Sequence, residues 1–168
     1  MGENLEPVKT GINATLTIRP VGDILGNITG LVADYAIALL SMFYPTAVAR
    51  KANVAISELV TNVLENISDP GGVLSFALNV EGERLRISVT NTVNDEQFQK
   101  VVQRISDLKT HGNPRKLLAE TIRARRVHQL KGGLGLIRLV AENKFELSAE
   151  KNGDELTVHA VYRLEATT

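Results

Sequence analysis

Two asparagines and two glutamates interrupt the otherwise apolar segment Ile56-Ser57-Glu58-Leu59-Val60-Thr61-Asn62-Val63-Leu64-Glu65-Asn66-Ile67. At 100° per residue of an α-helix, Glu58, Asn62, Glu65 and Asn66 gather into one polar stripe. Asparagine is an indifferent helix former, so two of them four residues apart need a reason. A metal–phosphate site supplies one, because Mg²⁺ takes oxygen ligands and binds through one or two protein groups plus substrate phosphates. There, Asn62 would lend its amide oxygen. Glu58, one turn earlier, would take a proton from an attacking hydroxyl or water. From pattern alone, a solvated helix edge explains the stripe equally well.

A second segment, Lys131-Gly132-Gly133-Leu134-Gly135-Leu136, opens a later helix. Glycines let backbone N–H groups approach a phosphate closely, and a helix start favours an anion. The run is neither a Walker A loop, since no Gly-Lys-Ser/Thr follows, nor a full dinucleotide-binding fingerprint. Its plain alternative is a tight loop. Between Arg115 and Lys131, the basic residues Arg115, Lys116, Arg123, Arg125, Arg126 and Lys131 face a single acid, Glu120, for a net +5. Such a patch suits phosphates, an acidic partner or plain solvation. His111, His128 and His159 stand far apart, with no metal-ligand spacing.

The elements that must position these residues follow from periodicity. Ala14, Leu16 and Ile18 alternate between Asn13 and Arg19, which predicts a strand closed by Pro20. From Asp23 to Phe43, the residues Ile24, Ile28, Leu31, Tyr35, Leu39 and Phe43 recur at steps of three or four and predict an amphipathic helix with these on its inner face. Pro45 restarts the chain as a second helix to about Ile67, with Val48, Ala52, Ala55, Ile56, Leu59, Val63 and Ile67 inward. Ser68-Asp69-Pro70-Gly71-Gly72 stops it. Strands are predicted over 74–80 and 85–89, joined at Glu81-Gly82-Glu83. Residues 92–131 read as a polar, largely helical insertion broken at His111-Gly112-Asn113-Pro114. The glycine run then leads a helix to about Glu142. Strands near 144–150 and 155–163 meet at Lys151-Asn152-Gly153-Asp154, where Asn-Gly marks a tight hairpin. This order predicts one α+β domain, 1–168: a two-layer α/β sandwich whose mixed, mostly antiparallel sheet carries its helices on one face. The other face stays wet or serves as an interface.

Composition narrows the function. Over 168 residues, 19 Lys+Arg balance 19 Asp+Glu, so nucleic acid is a poor default partner. Aromatics make up 4% with no tryptophan, which leaves few platforms for stacking bases. The absence of cysteine excludes thiolate chemistry and favours a reducing compartment. The most apolar stretch, LVADYAIALLSMFYP, carries Asp34 and falls short of the ~20 residues of a membrane span, so a cytoplasmic protein is expected.

Taken together, a Glu-x-x-x-Asn helix, a strand pair, an irregular insertion and a Gly-Gly-Leu-Gly-Leu helix start resemble the histidine-kinase-like (GHKL) ATPase superfamily over residues 12 to 164. The run Ser57-Glu58-Leu59-Val60-Thr61-Asn62 looks most like the anti-sigma-factor serine kinases, and Leu130-Lys131-Gly132-Gly133-Leu134-Gly135-Leu136 also looks like the SiaB-type serine kinases. The resemblance implies ATP and Mg²⁺ as cofactors, Asn62 as the Mg²⁺-binding asparagine and Glu58 as the catalytic base. It implies Asn66 beside the nucleotide and Gly133 and Gly135, flanked by Gly132 and Leu134, in the glycine box beside the phosphates, with 92–131 as the lid; of the basic residues, Lys131 beside the glycines is the one expected to meet the phosphates. Asn91 falls where the family places an adenine-reading aspartate, and 92–95 lack the glycines that follow it there. The implied activity is an ATP-dependent serine/threonine kinase of the partner-switching type. Its partner would be a small anti-sigma-factor-antagonist-like (STAS-type) protein, and such kinases often pair as homodimers. A second reading is a diverged, non-catalytic regulatory module of the same fold. An ATPase of a larger machine is a third.

Overall fold

The computed structural model describes residues 11–24, 26–128 and 134–164. Strand β1 (Ile12–Ile18) is followed by a 3₁₀ turn at Val21–Asp23 and by helices α1 (Ile28–Ser41) and α2 (Thr46–Glu65). Strands β2 (Leu74–Glu81) and β3 (Arg84–Thr92) precede helices α3 (Asp95–Thr110), α4 (Pro114–His128) and α5 (Gly135–Ala141). Strands β4 (Glu146–Asn152) and β5 (Glu155–Arg163) complete one sheet in the order β1-β2-β3-β5-β4, every neighbouring pair antiparallel.

The strands form where apolar residues alternate. Leu74, Phe76, Leu78 and Val80 of β2 and Leu85, Ile87 and Val89 of β3 are buried beneath the helices. Each such side chain contributes roughly 1.5–3 kcal/mol. Gly82 (φ 57°) and Gly153 (φ 63°) supply the left-handed backbone that the two hairpin turns require. All three helices of the α1–α2–α5 layer lie on this face, the two-layer arrangement expected from the sequence. The opposite face carries polar cross-strand pairs: Thr17–Ser75 at 2.7 Å, Asn13–Asn79 at 3.0 Å and Thr90–Thr157 at 2.8 Å.

The helical layer corrects one expectation. Helix α1 starts at Ile28, capped by Asn27 Oδ1 accepting from the Gly30 N–H at 2.9 Å, five residues later than Asp23. Its buried face is Ile28, Val32, Ala33, Ala36 and Leu40, whereas Leu31, Tyr35 and Phe43 are exposed. The small side chains win because they allow close approach to α2, whose Ala49, Ala52 and Ala55 are buried in turn. In α2 the inward set is Ala49, Ala52, Ala55, Ile56, Leu59, Val60 and Val63; Ile67 lies past its end. Among the described residues, no helix is long and apolar enough to cross a membrane.

Candidate functional site

The inner-face alternation of β3, Leu85, Ile87, Val89, ends in a polar residue, Asn91. Strand geometry therefore turns this amide inward, and it is only 8% exposed. On α2, the last two turns place Leu59, Asn62, Val63 and Asn66 on the side facing it. A cavity of about 220 Å³ separates them, lined also by Val89, Val93, Gln97, Lys100, Val101, Arg104, Leu136, Leu156 and Val158. The structure thus brings together Asn62, Asn66 and Asn91, residues 25 or more positions apart from the last of them. The walls are mainly apolar with a few convergent polar groups, the usual character of a small-molecule site.

The amides are not equivalent. Asn66 Nδ2 donates to Asn62 O at 2.7 Å, and Asn66 O accepts from Gln97 Nε2 at 2.8 Å, which ties the end of α2 to α3. Asn91 Nδ2 donates to Thr92 O at 3.3 Å. Asn62 Nδ2 is buried with no hydrogen-bond partner. An unpaired buried amide costs about 1–3 kcal/mol, a cost that an arriving acceptor would relieve.

Glu58 lies one turn before Asn62, half-buried, against Gly135 at the start of α5. A β-carbon at Gly135 would stand 2.8 Å from Glu58 Cδ and closer still to its carboxylate oxygen. Glycine thus leaves free the space that the Glu58 carboxylate occupies. Of the other glycine-run residues, Leu134 is the half-buried N-cap of α5, while Lys131, Gly132 and Gly133 lie outside the described residues.

Helix α3 supplies what sequence reasoning missed. Asn94 and Gln97 form a capping box that starts α3 directly after Val93, in the stretch that lacks glycine. The helix then presents Lys100 and Arg104, one turn apart, to the cavity. Lys100 pairs with Glu96 at 2.6 Å, and that hydrogen bond and charge hold the Glu96 carboxyl below its ordinary range. The Lys-x-x-x-Arg spacing was visible, but only the tertiary placement of α3 gives it a function. The described part of the 115–131 cationic stretch contributes nothing to the cavity wall. Arg115 Nε instead donates to Ala141 O at 3.4 Å, and Lys116 faces Glu120 at 3.9 Å.

On the opposite sheet face, Ser88 Oγ lies 2.7 Å from His159 Nδ1, and His159 Nε2 lies 3.1 Å from Glu150 Oε1. Acyl transfer would also need free N–H donors for an oxyanion. Ser88 is buried in a strand paired on both sides, which occupies those donors, so the chain of contacts reads as a cross-strand structural link.

Among the described residues, no three His, Asp or Glu side chains gather as a metal site. A cation here would rest on the Asn62 amide oxygen and on a ligand's own phosphates, the sparse protein coordination that Mg²⁺ commonly has. The unpartnered Asn62 N–H fits a phosphate oxygen, and the cation itself would take only the amide oxygen of that side chain. The chain matches no family model, and no curated protein matches it.

Proposed function

We propose that the chain binds ATP with Mg²⁺ in the cavity between α2, α3, β3 and β5 and acts as a protein serine/threonine kinase. Its substrate would be a serine or threonine of a small anti-sigma-factor-antagonist-like protein. The observation that carries the reading is the convergence of Asn62, Asn66 and Asn91 on one cavity, with Glu58 held against Gly135 beside it. In this reading the apolar walls take the base, and the Asn91 oxygen accepts from its amino group. Lys100 and Arg104 offset phosphate charge. Asn62 holds the cation, which when bound neutralises charge on the transferring phosphoryl group. Glu58 accepts the proton as the partner's hydroxyl oxygen bonds to the γ-phosphorus and the bond to ADP breaks.

Two titrations test the binding step. Calorimetry with ATP, with Mg²⁺ and with chelator, should show Mg²⁺-dependent binding, weakened about tenfold or more in Asn62→Ala, because bonds to charged groups contribute ~1.5–3 kcal/mol. Alanine is the better helix former, so the variant should stay folded. Equal affinity of the folded variant would remove Asn62 from the site. In the second titration, Asn91→Asp should tighten ATP binding, approaching tenfold, and improve discrimination against GTP, since a carboxylate accepts from adenine's amino group but cannot pair with guanine's carbonyl. Unchanged affinity and selectivity would show that the base does not lie against Asn91.

The helix start at Asn94–Gln97, where the resemblance expects a glycine loop, favours a second reading as a regulatory module without phosphoryl transfer. Labelled ATP with candidate antagonist-like proteins from the same genome separates the two. Label on the partner supports the kinase; nucleotide-independent partner binding without label supports the module.

A further inference from the structure

At the side of the sheet farthest from β1, helix α3 packs on the edge strand β4 and on α5. Between them runs a groove of about 410 Å³, whose apolar lining is Ile105, Leu108, Val140, Phe145, Leu147 and Val161. A cavity of ~150 Å³ already takes a benzene-sized group, so this groove has room for more than one aliphatic side chain. Residues of both faces of β4 line it, Leu147 inward and Glu146 and Ser148 outward, so the groove reaches the open edge of the strand. It shares no lining residue with the cavity between α2 and α3.

The backbone at this edge follows from the β4–β5 turn. Asn152 and Glu155 close a two-residue hairpin as a hydrogen-bonded pair, so Glu146, Ser148 and Glu150 bond to β5, which leaves the N–H and C=O groups of Leu147, Ala149 and Lys151 toward the open side. At one end the Lys151 side chain folds onto α3, bonded to Asp95 and 5.1 Å from the centre of the Phe98 ring. At the other, the Phe145 N–H donates to Leu139 O at 3.0 Å. Among the described residues, nothing pairs with the edge-facing groups of Leu147 and Ala149 between them. Charge differs on the two sides of this stretch. On the outer sheet face Glu146 and Glu150 flank Ser148 and are exposed, with His159 Nε2 3.1 Å from Glu150; on the helix side the rim carries Lys109.

We propose that the β4 edge and the groove beside it bind an extended segment of a partner protein in which apolar and basic residues alternate. The inference is independent of the nucleotide reading. The segment adds to the sheet as a further strand, its backbone exchanging hydrogen bonds with Leu147 and Ala149. Residues directly opposite on neighbouring strands share a face, so the side chains facing Leu147 and Ala149 enter the groove and are apolar. Lys109 at that rim disfavours a basic one there. The residues between them lie beside Glu146 and Glu150, where lysine or arginine supplies the opposite charge. A second copy of β4 is the poorer occupant, because its own Glu146 and Glu150 would bring like charges alongside these. The same carboxylates keep the edge from pairing with uncharged strands at random and leave it selective for a basic one.

The probe is a fluorescent peptide of the strand's own length, 7 residues, with capped ends and lysine and valine alternating from a lysine at each end. Anisotropy with the full chain should show saturable binding, about tenfold tighter or more than that of a peptide with the same composition in two blocks, and than that of the alternating glutamate–valine peptide. At saturation, amide exchange should slow at Leu147 and Ala149, whose N–H groups gain partners. Glu146→Lys alters an exposed side chain and should weaken binding about threefold or more while melting like wild type. Ala149→Pro removes one edge-facing N–H, which an edge strand tolerates, and should weaken it about tenfold. No binding by wild type, equal binding of the block peptide, unchanged exchange at Leu147 and Ala149, or full affinity in a folded Glu146→Lys or Ala149→Pro would each overturn the proposal. If Ala149→Pro does not fold, Glu146→Lys and the exchange at Leu147 and Ala149 decide.

Discussion

Glu58→Gln is expected to slow phosphoryl transfer to the partner by about 10²–10⁴-fold, the range for a lost general base. The substitution keeps the length and shape of the side chain, so the contact with Gly135 survives and α2 keeps its packing. What is lost is the capacity to take the hydroxyl proton. Mg²⁺-ATP affinity should therefore stay near wild type, because Glu58 lies outside the cavity wall that Asn62, Asn66 and Asn91 share. Single-turnover transfer measured beside calorimetric ATP binding separates the two effects. Equal transfer rates for the two proteins would remove Glu58 from the mechanism, and a parallel loss of ATP affinity would give it a role in holding the nucleotide instead.

Much of this arrangement is legible in the chain. The stripe of Glu58, Asn62 and Asn66 needs only the pitch of a helix, and Asn91 needs only the two-residue period of a strand whose earlier inward residues are Leu85, Ile87 and Val89. Hairpin turns at Gly82 and Gly153 follow from the conformations those turns demand. Helix α1 was misread for a physical reason. It is apolar almost all round, and a periodic count gives weight to large residues such as Leu31 and Tyr35. The helix instead buries Ala33 and Ala36, because α2 offers a surface of alanines to pack against closely. Lys100 and Arg104 were illegible as site residues for another reason. Their spacing fits any exposed helix, and only the tie from Gln97 to Asn66, together with the docking of α3 beside β4, turns them to the cavity.

Gly135→Ala should separate packing from chemistry at the junction of α2 and α5. Gly135 has no positive φ, so alanine suits its backbone, and a glycine-to-alanine change in a compatible helical position contributes about 0.4–1 kcal/mol of stability. Against this stands the new methyl group, which meets the Glu58 carboxylate. That carboxylate is the free end of a flexible side chain, and swinging it aside costs about one off-rotamer torsion, ~0.5–1.5 kcal/mol. The two terms nearly cancel, so the melting temperature should change little. Phosphoryl transfer should nonetheless fall about 10²-fold, the cost of misplacing a catalytic group by an ångström or so. The double variant Glu58→Gln/Gly135→Ala then gives the sharper test. If glycine serves transfer only by leaving room for the base, the second change adds little to the first, and the two effects are strongly non-additive. Additive losses would mean that Gly135 acts independently of Glu58. A folded Gly135→Ala protein with wild-type transfer would show that the carboxylate works from more than one position, and the space at Gly135 would then have no part in the chemistry.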